Sequence, residues 1–290
     1  MSKVSIQKGE DRKKNIKKSL KEIEADVRKK LKKRDRIIIK PDLTSAQKQS
    51  VSVHRHALEA VLDFLTNLSN KKITIVGSAR IGGTKEAFNN FGYYNLKKKY
   101  DIDFIDLYER EDCEMTQIYS RDLNPTKTCV PKIILNDKSY LVSVSGLKTD
   151  DSVIASMGIK NIAGSMTDRP LNHNGYKAIN LSIAKLMSAA SPDLSVIDAF
   201  EAVEGESPTR GDVVSMNLAL SGTDFVSVDT IGATVMGFNP YKIGYLSHCR
   251  EDLPGEGEVT NIDVVGNTDV ARVKRNFRPH SKYEDQLKWE

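Results

Sequence analysis

Two lysines interrupt a run of small and apolar side chains, GLKTDDSVIASMGIKNIAGS at residues 146–165: Lys148 follows Gly-Leu and Lys160 follows Gly-Ile. An ammonium group at an interior address is costly unless it is paired, hydrogen-bonded or used. Two readings lead, ahead of a third in which both are plain surface lysines. In the first, Lys148 and Lys160 pair with Asp150, Asp151 or Asp198 and hold loops together. In the second, they neutralise a carboxylate or phosphate of a bound ligand, Asn161 and Thr149 supply hydrogen bonds, and His173 or Asp198 moves a proton. A lysine desolvated beside another cation can also lose its proton and serve as base or nucleophile.

The elements that would position these residues alternate. Strands are expected at 36–40, 72–77, 101–107, 140–146 and 194–198, separated by amphipathic segments such as HALEAVLDFLTNL, TKEAFNNFG and GYKAINLSIAKLMSAA. This alternation predicts an α/β fold with a mostly parallel central sheet flanked by helices. One domain is expected over 1–270, with 271–290 as a basic, peripheral C-terminal tail. Asp224 is the expected N-cap of the helix that follows it. Residues 112–135, with Pro125 and Pro131, read as extended segments and turns.

In such sheets ligands bind beyond the carboxyl ends of strands, near a topological switch point. IIIKPDLTS delivers Lys40, Asp42, Thr44 and Ser45 there; ITIVGSARIGGTK delivers Ser78 and Arg80; LVSVSGLKTDD delivers Lys148, Thr149, Asp150 and Asp151; LSVIDAFEAVEGE delivers Asp198, Glu201 and Glu204. The glycines Gly77, Gly82 and Gly83 fit neither the P-loop nor the dinucleotide fingerprint, so the loop reads first as a structural β–α turn. His54 and His56, if both lie in a helix, would face away from each other, which disfavours joint metal ligation; in a strand or turn they could share a face.

Ile16, Leu20, Ile23, Val27 and Leu31 recur at helical spacing, with lysines on the opposite face. Glu22, Glu24 and Asp26 interleave those lysines, so the helix reads as a solvated face and nucleic acid is not an expected partner. No apolar run reaches the ~18 residues of a membrane span, so no membrane partner is expected. The 290 residues are 39% hydrophobic and 29% charged with a net charge of +5, the profile of a soluble globular chain. Cys113, Cys129 and Cys249 are distant in sequence and outside any C-x-x-C spacing. A reduced, cytoplasmic location is therefore expected, with no disulfide framework and no protein-ligated iron–sulfur cluster.

IKPDLTS, VSVSGLKTD, GIKNIAGSM, NHNG, DLSVIDAFEAVEGESPTRGD and DFVSVDTIGATVMGF occur in the order seen in the family called domain of unknown function 362, which the chain resembles over roughly residues 36–250. The resemblance implies an α/β cytoplasmic protein of unassigned activity, often associated with a ferredoxin segment. It singles out Lys40, Lys148, Thr149, Lys160, Asn161, Gly164, His173, Asp198 and Asp229. Two positions depart from the family pattern: Asp42 stands where the family has Asn, and Asp150 where it has His. The three cysteines cannot supply the ferredoxin segment. PDLTSA is also faintly similar to the N-terminal part of nickel-dependent lactate racemases.

Together these readings point to a binder of a small anionic metabolite, or an enzyme acting on one. Lys148, Lys160, His173 and Asp198 are its candidate catalytic residues, and Lys40, Asp42, Thr44, Thr149, Asn161 and Asp229 its candidate ligand-binding residues. No metal ligand set is assigned and no cofactor is named by the sequence. The alternative is a non-catalytic accessory protein of redox or cofactor metabolism with a redox protein as partner.

Overall fold

The computed structural model describes residues 1–135, 137–168 and 175–290. The strands are β1 (Ser2–Lys8), β2 (Arg36–Pro41), β3 (Ile73–Gly77), β4 (Ile102–Asp106), β5 (Cys113–Tyr119), β6 (Pro125–Pro131), β7 (Ser139–Asp150), β8 (Ile154–Ser156), β9 (Leu194–Glu204), β10 (Asp212–Gly222) and β11 (Ile262–Gly266). Nine of them form one sheet in the order β11-β1-β10-β9-β7-β2-β3-β4, with β8 paired to β7. The pairs β1–β11, β2–β3, β2–β7, β3–β4 and β7–β9 are parallel, and β1–β10, β9–β10 and β7–β8 antiparallel. The α/β fold with a mostly parallel sheet is as the alternation predicts.

Helices cover both faces. These are α1 (Arg12–Glu22), α2 (Glu24–Leu31), α3 (Arg55–Leu68), α4 (Thr84–Asn90), α5 (Lys132–Leu135), α6 (Gly158–Ala163), α7 (Tyr176–Ala189), α8 (Phe225–Val235) and α9 (Gly244–Asp252). The first apolar stripe is buried throughout, but its helix breaks at Ile23 into α1 and α2. Strand alternation sorts the core into two layers. Ile37 and Ile39 of β2 pack with residues of α1 to α4, while Ile38 faces the layer containing α6 to α9. Asp224 caps α8 as expected, accepting from Val226 N and Ser227 N at 3.0 and 3.1 Å. Among the described residues no helix is long and apolar enough to cross a membrane.

Two expectations need correction, and β1 is a strand outside the expected set, pairing with β10 and β11 more than two hundred residues away. Segment 271–290 is not peripheral, because Phe277, Gln286 and Trp289 are buried and Gln286 Nε2 donates to Asp150 O at 2.7 Å. Cys113 and Cys129 form a disulfide, with Cα atoms 5.5 Å apart. A spacing of sixteen residues gave no sequence signal, but β5 and β6 fold into an antiparallel hairpin that brings the two thiols to neighbouring register positions. Cys249 is free and buried.

Candidate functional site

Chain direction creates the site. From β2 the chain runs outward through β3 to β4, whereas β7 and β9 lie on the other side of β2. The carboxyl ends of β2 and β7 therefore flank a switch point, where an open α/β sheet leaves a crevice. β2 pairs with β7 as far as Pro41 opposite Val144, and β7 continues to Asp150, forming one wall. A cavity of about 350 Å³ lies here.

Lys40 is the last side chain of β2 on the face of Ile38, where α6 covers the sheet. It is buried, and its Nζ donates to Asn161 Oδ1 at 3.0 Å. The Asn161 amide cannot turn freely, because its Nδ2 donates to Lys40 O, Ser143 Oγ and Val144 O at 2.8, 3.0 and 3.3 Å. The oxygen is thus held toward the amine. No carboxylate among the described residues lies within ion-pair distance of Lys40. Burial pushes its ammonium down to about 8; Asp42 opposes the shift and Lys148 adds to it.

The other cations of the inner wall are paired. Lys148 Nζ donates to the Asp42 carboxylate, to Thr44 Oγ1 at 2.7 Å and to Val51 O at 2.9 Å. Thr44 Oγ1 donates in turn to Asp42 at 2.9 Å. Lys160 bridges the Asp150 carboxylate and Ser152 Oγ. Burial would raise the Asp150 pKa, but Lys160 and the Ser152 hydroxyl and amide hold it well below the ordinary range. Arg80, delivered by the β3–α4 turn, meets Asp151 at 3.2 Å. Ser78 from the same turn donates to Gly164 O at 2.6 Å and ties it to the end of α6.

Lys40, Asp42, Thr44, Lys148, Lys160 and Asn161 therefore line one cavity. Thr149, Asp198 and Asp229 do not. Thr149 Oγ1 donates to Gly205 O at 2.8 Å and fastens β7 to the turn after β9. Asp229 of α8 accepts from Gly158 N and Ile159 N, both at 3.0 Å, and thereby fixes the start of the helix that carries Lys160 and Asn161. Burial pushes Asp229 up to about 7 despite those donors. Asp198 lies in a separate crevice of about 30 Å³ with Arg12, His54 and Glu201, room for little more than water. Arg12 Nε meets Asp198 at 3.2 Å, yet burial raises that carboxyl to about 6. His54 caps α3, its Nδ1 accepting from His56 N at 3.1 Å, and burial lowers its pKa to about 4. His173 lies outside the described residues. Among those that are described, no three His, Cys, Asp or Glu side chains cluster to hold a metal.

The cavity also draws on residues that carried no sequence signal. Arg121 comes from the turn of the β5–β6 hairpin, which packs on α7 through Tyr119 N donating to Ser182 Oγ at 3.0 Å. Lys282 comes from the C-terminal segment, and Tyr176, Ile179 and Ile183 of α7 with Met166 give the cavity an apolar part of its wall. The amphipathic pattern of α7 marks its buried face, but not that part of this face meets a cavity rather than core.

A model described as Domain of unknown function (DUF362) matches residues 37–234, which contain most of this cavity. The thylakoid-associated protein sll1697 of Synechocystis sp. is 22% identical over 219 residues, covering 72% of this chain and 65% of that protein. The chain thus spans just under two thirds of the length of that curated relative. A crystal structure of a protein from Thermotoga maritima has a TM-score of 0.43 at 12% identity, covering 69% of this chain and 53% of that one. A loganic acid methyltransferase structure with SAH has a TM-score of 0.26 at 9% identity, covering 92% and 74%. Both likenesses are too slight to bear on function.

Proposed function

The chain belongs to the DUF362 family, and we propose that it binds a small anionic metabolite, a carboxylate or a phosphate, in the cavity at the β2–β7 switch point. The observation that carries this reading is Lys40, a buried ammonium facing a cavity with a neutral amide as its hydrogen-bond partner and, among the described residues, no carboxylate within ion-pair distance. A bound anion would supply the missing charge. Six cations line the cavity (Lys40, Arg80, Arg121, Lys148, Lys160 and Lys282) against three carboxylates, Asp42, Asp150 and Asp151. The carboxylates pair with Lys148, Lys160 and Arg80. That leaves Lys40, Arg121 and Lys282 without an acidic partner among the described residues. The volume suits a small molecule, at the lower end of the ~300–1,000 Å³ usual for such sites.

Calorimetry and thermal melts of the full chain against a panel of small carboxylates and phosphates test the reading. A ligand is expected to raise the melting temperature and to lose affinity roughly ten- to a hundredfold in Lys40→Met, the effect of removing one charge-assisted hydrogen bond of ~1.5–3 kcal/mol. If no member of either class binds, or if Lys40→Met binds equally well, the proposal fails.

A further inference from the structure

We propose that Lys40 is a covalent nucleophile whose amine condenses with the carbonyl carbon of an anionic aldehyde or ketone, of the 2-oxo acid class, held in this cavity. The inference rests on the anion-site reading above and adds the reacting group of the ligand.

The geometry meets the requirements of such a lysine. The amine must be fixed, must reach a cavity, and must not be locked as an ammonium by a carboxylate. Lys148 and Lys160 fail the last requirement, since each is paired with an aspartate. Lys40 meets all three: it lines the cavity, and the acceptor that fixes it is the pinned oxygen of Asn161. An amide oxygen accepts from a neutral amine, so the side chain stays positioned after the proton leaves. Burial favours that loss, and the Lys148 ammonium nearby favours it further, with Asp42 opposing. The wall formed by Met166, Ile179 and Ile183 suits an apolar body on the carbonyl compound, while Arg121 and Lys282, which have no acidic partner among the described residues, suit its acid group.

The step is a balanced condensation. The amine lone pair forms a carbon–nitrogen bond as the carbonyl π pair moves to oxygen, giving a carbinolamine after proton transfer. The former carbonyl oxygen leaves as water with two hydrogens supplied by the amine, and the resulting imine takes up a proton to become an iminium. The iminium N–H can still donate to Asn161 Oδ1. No electrons are gained or lost overall.

Borohydride trapping distinguishes this proposal from the one beneath it. The full chain is incubated with pyruvate or 3-methyl-2-oxobutanoate, reduced, digested and mapped by mass spectrometry. The parallel reactions use lactate or 2-hydroxy-3-methylbutanoate, which carry the same charge but no carbonyl. The expected result is one adduct per chain on the Lys40 peptide with the oxo acids, none with the hydroxy acids, and none at residue 40 in a folded Lys40→Arg variant, whose guanidinium stays protonated. If oxo and hydroxy acids raise the melting temperature equally and nothing is trapped on Lys40, the covalent step is wrong and the anion site stands. Adducts spread over surface lysines at the rate seen in unfolded chain also overturn the covalent step. If neither acid shifts the melt and nothing is trapped, both proposals fall.

Discussion

Lys40 and Asn161 are joined by hydrogen bonds in both directions: the Lys40 amine donates to the Asn161 side-chain oxygen at 3.0 Å, and the Asn161 amide donates back to the Lys40 carbonyl at 2.8 Å. One side chain thus ties the end of β2 to α6 and orients the buried amine. Asn161→Leu, close in size, leaves the amine and three buried acceptors short of a partner. Stability is expected to fall by about 1–3 kcal/mol, read from urea unfolding. An unchanged midpoint would show that the amide does not hold these elements together.

Lys40 itself is expected to cost the fold stability. Its pKa falls from 10.5 unfolded to about 8 folded. Below about 8 both states carry the proton and the folded chain bears the cost of a buried charge. Between about 8 and 10.5 only the unfolded chain keeps the proton, so stability from this group rises with pH across that window. The shift corresponds to about 3 kcal/mol, offset by about 1 kcal/mol for the lost hydrogen bond in Lys40→Met. The variant should therefore be more stable than wild type at pH 7, and the gain should vanish by pH 10. Urea midpoints at the two pH values check the sign.

Lys148 and Lys160 should differ in how much they support. Lys148→Met leaves the Asp42 carboxylate without its cation in a buried setting, which is expected to cost about 3–5 kcal/mol. Lys160 is less deeply buried, and Asp150 keeps the Ser152 amide and hydroxyl without it, so its removal should cost less, about 1–3 kcal/mol. The Lys160 effect has a pH signature. Asp150 is held below its ordinary 3.8 in the folded chain, so its contribution is present above that value and is lost as pH falls through the folded range. Wild type and Lys160→Met should accordingly differ most at neutral pH, and the gap should narrow as pH falls below 3.8, as thermal melts at pH 7 and pH 3 would reveal.

The hairpin that brings Arg121 to the cavity is closed by the Cys113–Cys129 disulfide. Thiol titration of unfolded, unreduced protein should find one reactive thiol, Cys249, and three after reduction. Reduction should also speed protease cleavage within 113–131, because a cross-link of this loop length restrains the open state by roughly 3 kcal/mol. Three thiols before reduction would mean the hairpin stands without the bond.

Much of the fold was legible because its signals are local. Apolar runs alternating with amphipathic helical patterns marked β2, β3, β4, β7 and β9, and the rule for parallel sheets pointed to their carboxyl ends; Lys40, Asp42, Thr44, Lys148, Lys160 and Asn161 line one cavity there. Once β2 is in place, strand alternation sets Lys40 on the face of Ile38. What the tertiary structure alone decided is which charges meet. Lys148 pairs with Asp42, 106 positions away, rather than with the neighbouring aspartates its own segment suggested. Asp198 lies within β9, which runs on to Glu204, and turns instead to Arg12 in a separate crevice. Arg121, Lys282 and the partners of β1 follow from a hairpin, a C-terminal segment and strand pairings that close over long stretches of chain. A residue's direction is set by its neighbours in sequence, whereas its partner is set by how distant elements dock, and the energy of a buried charge depends on the partner.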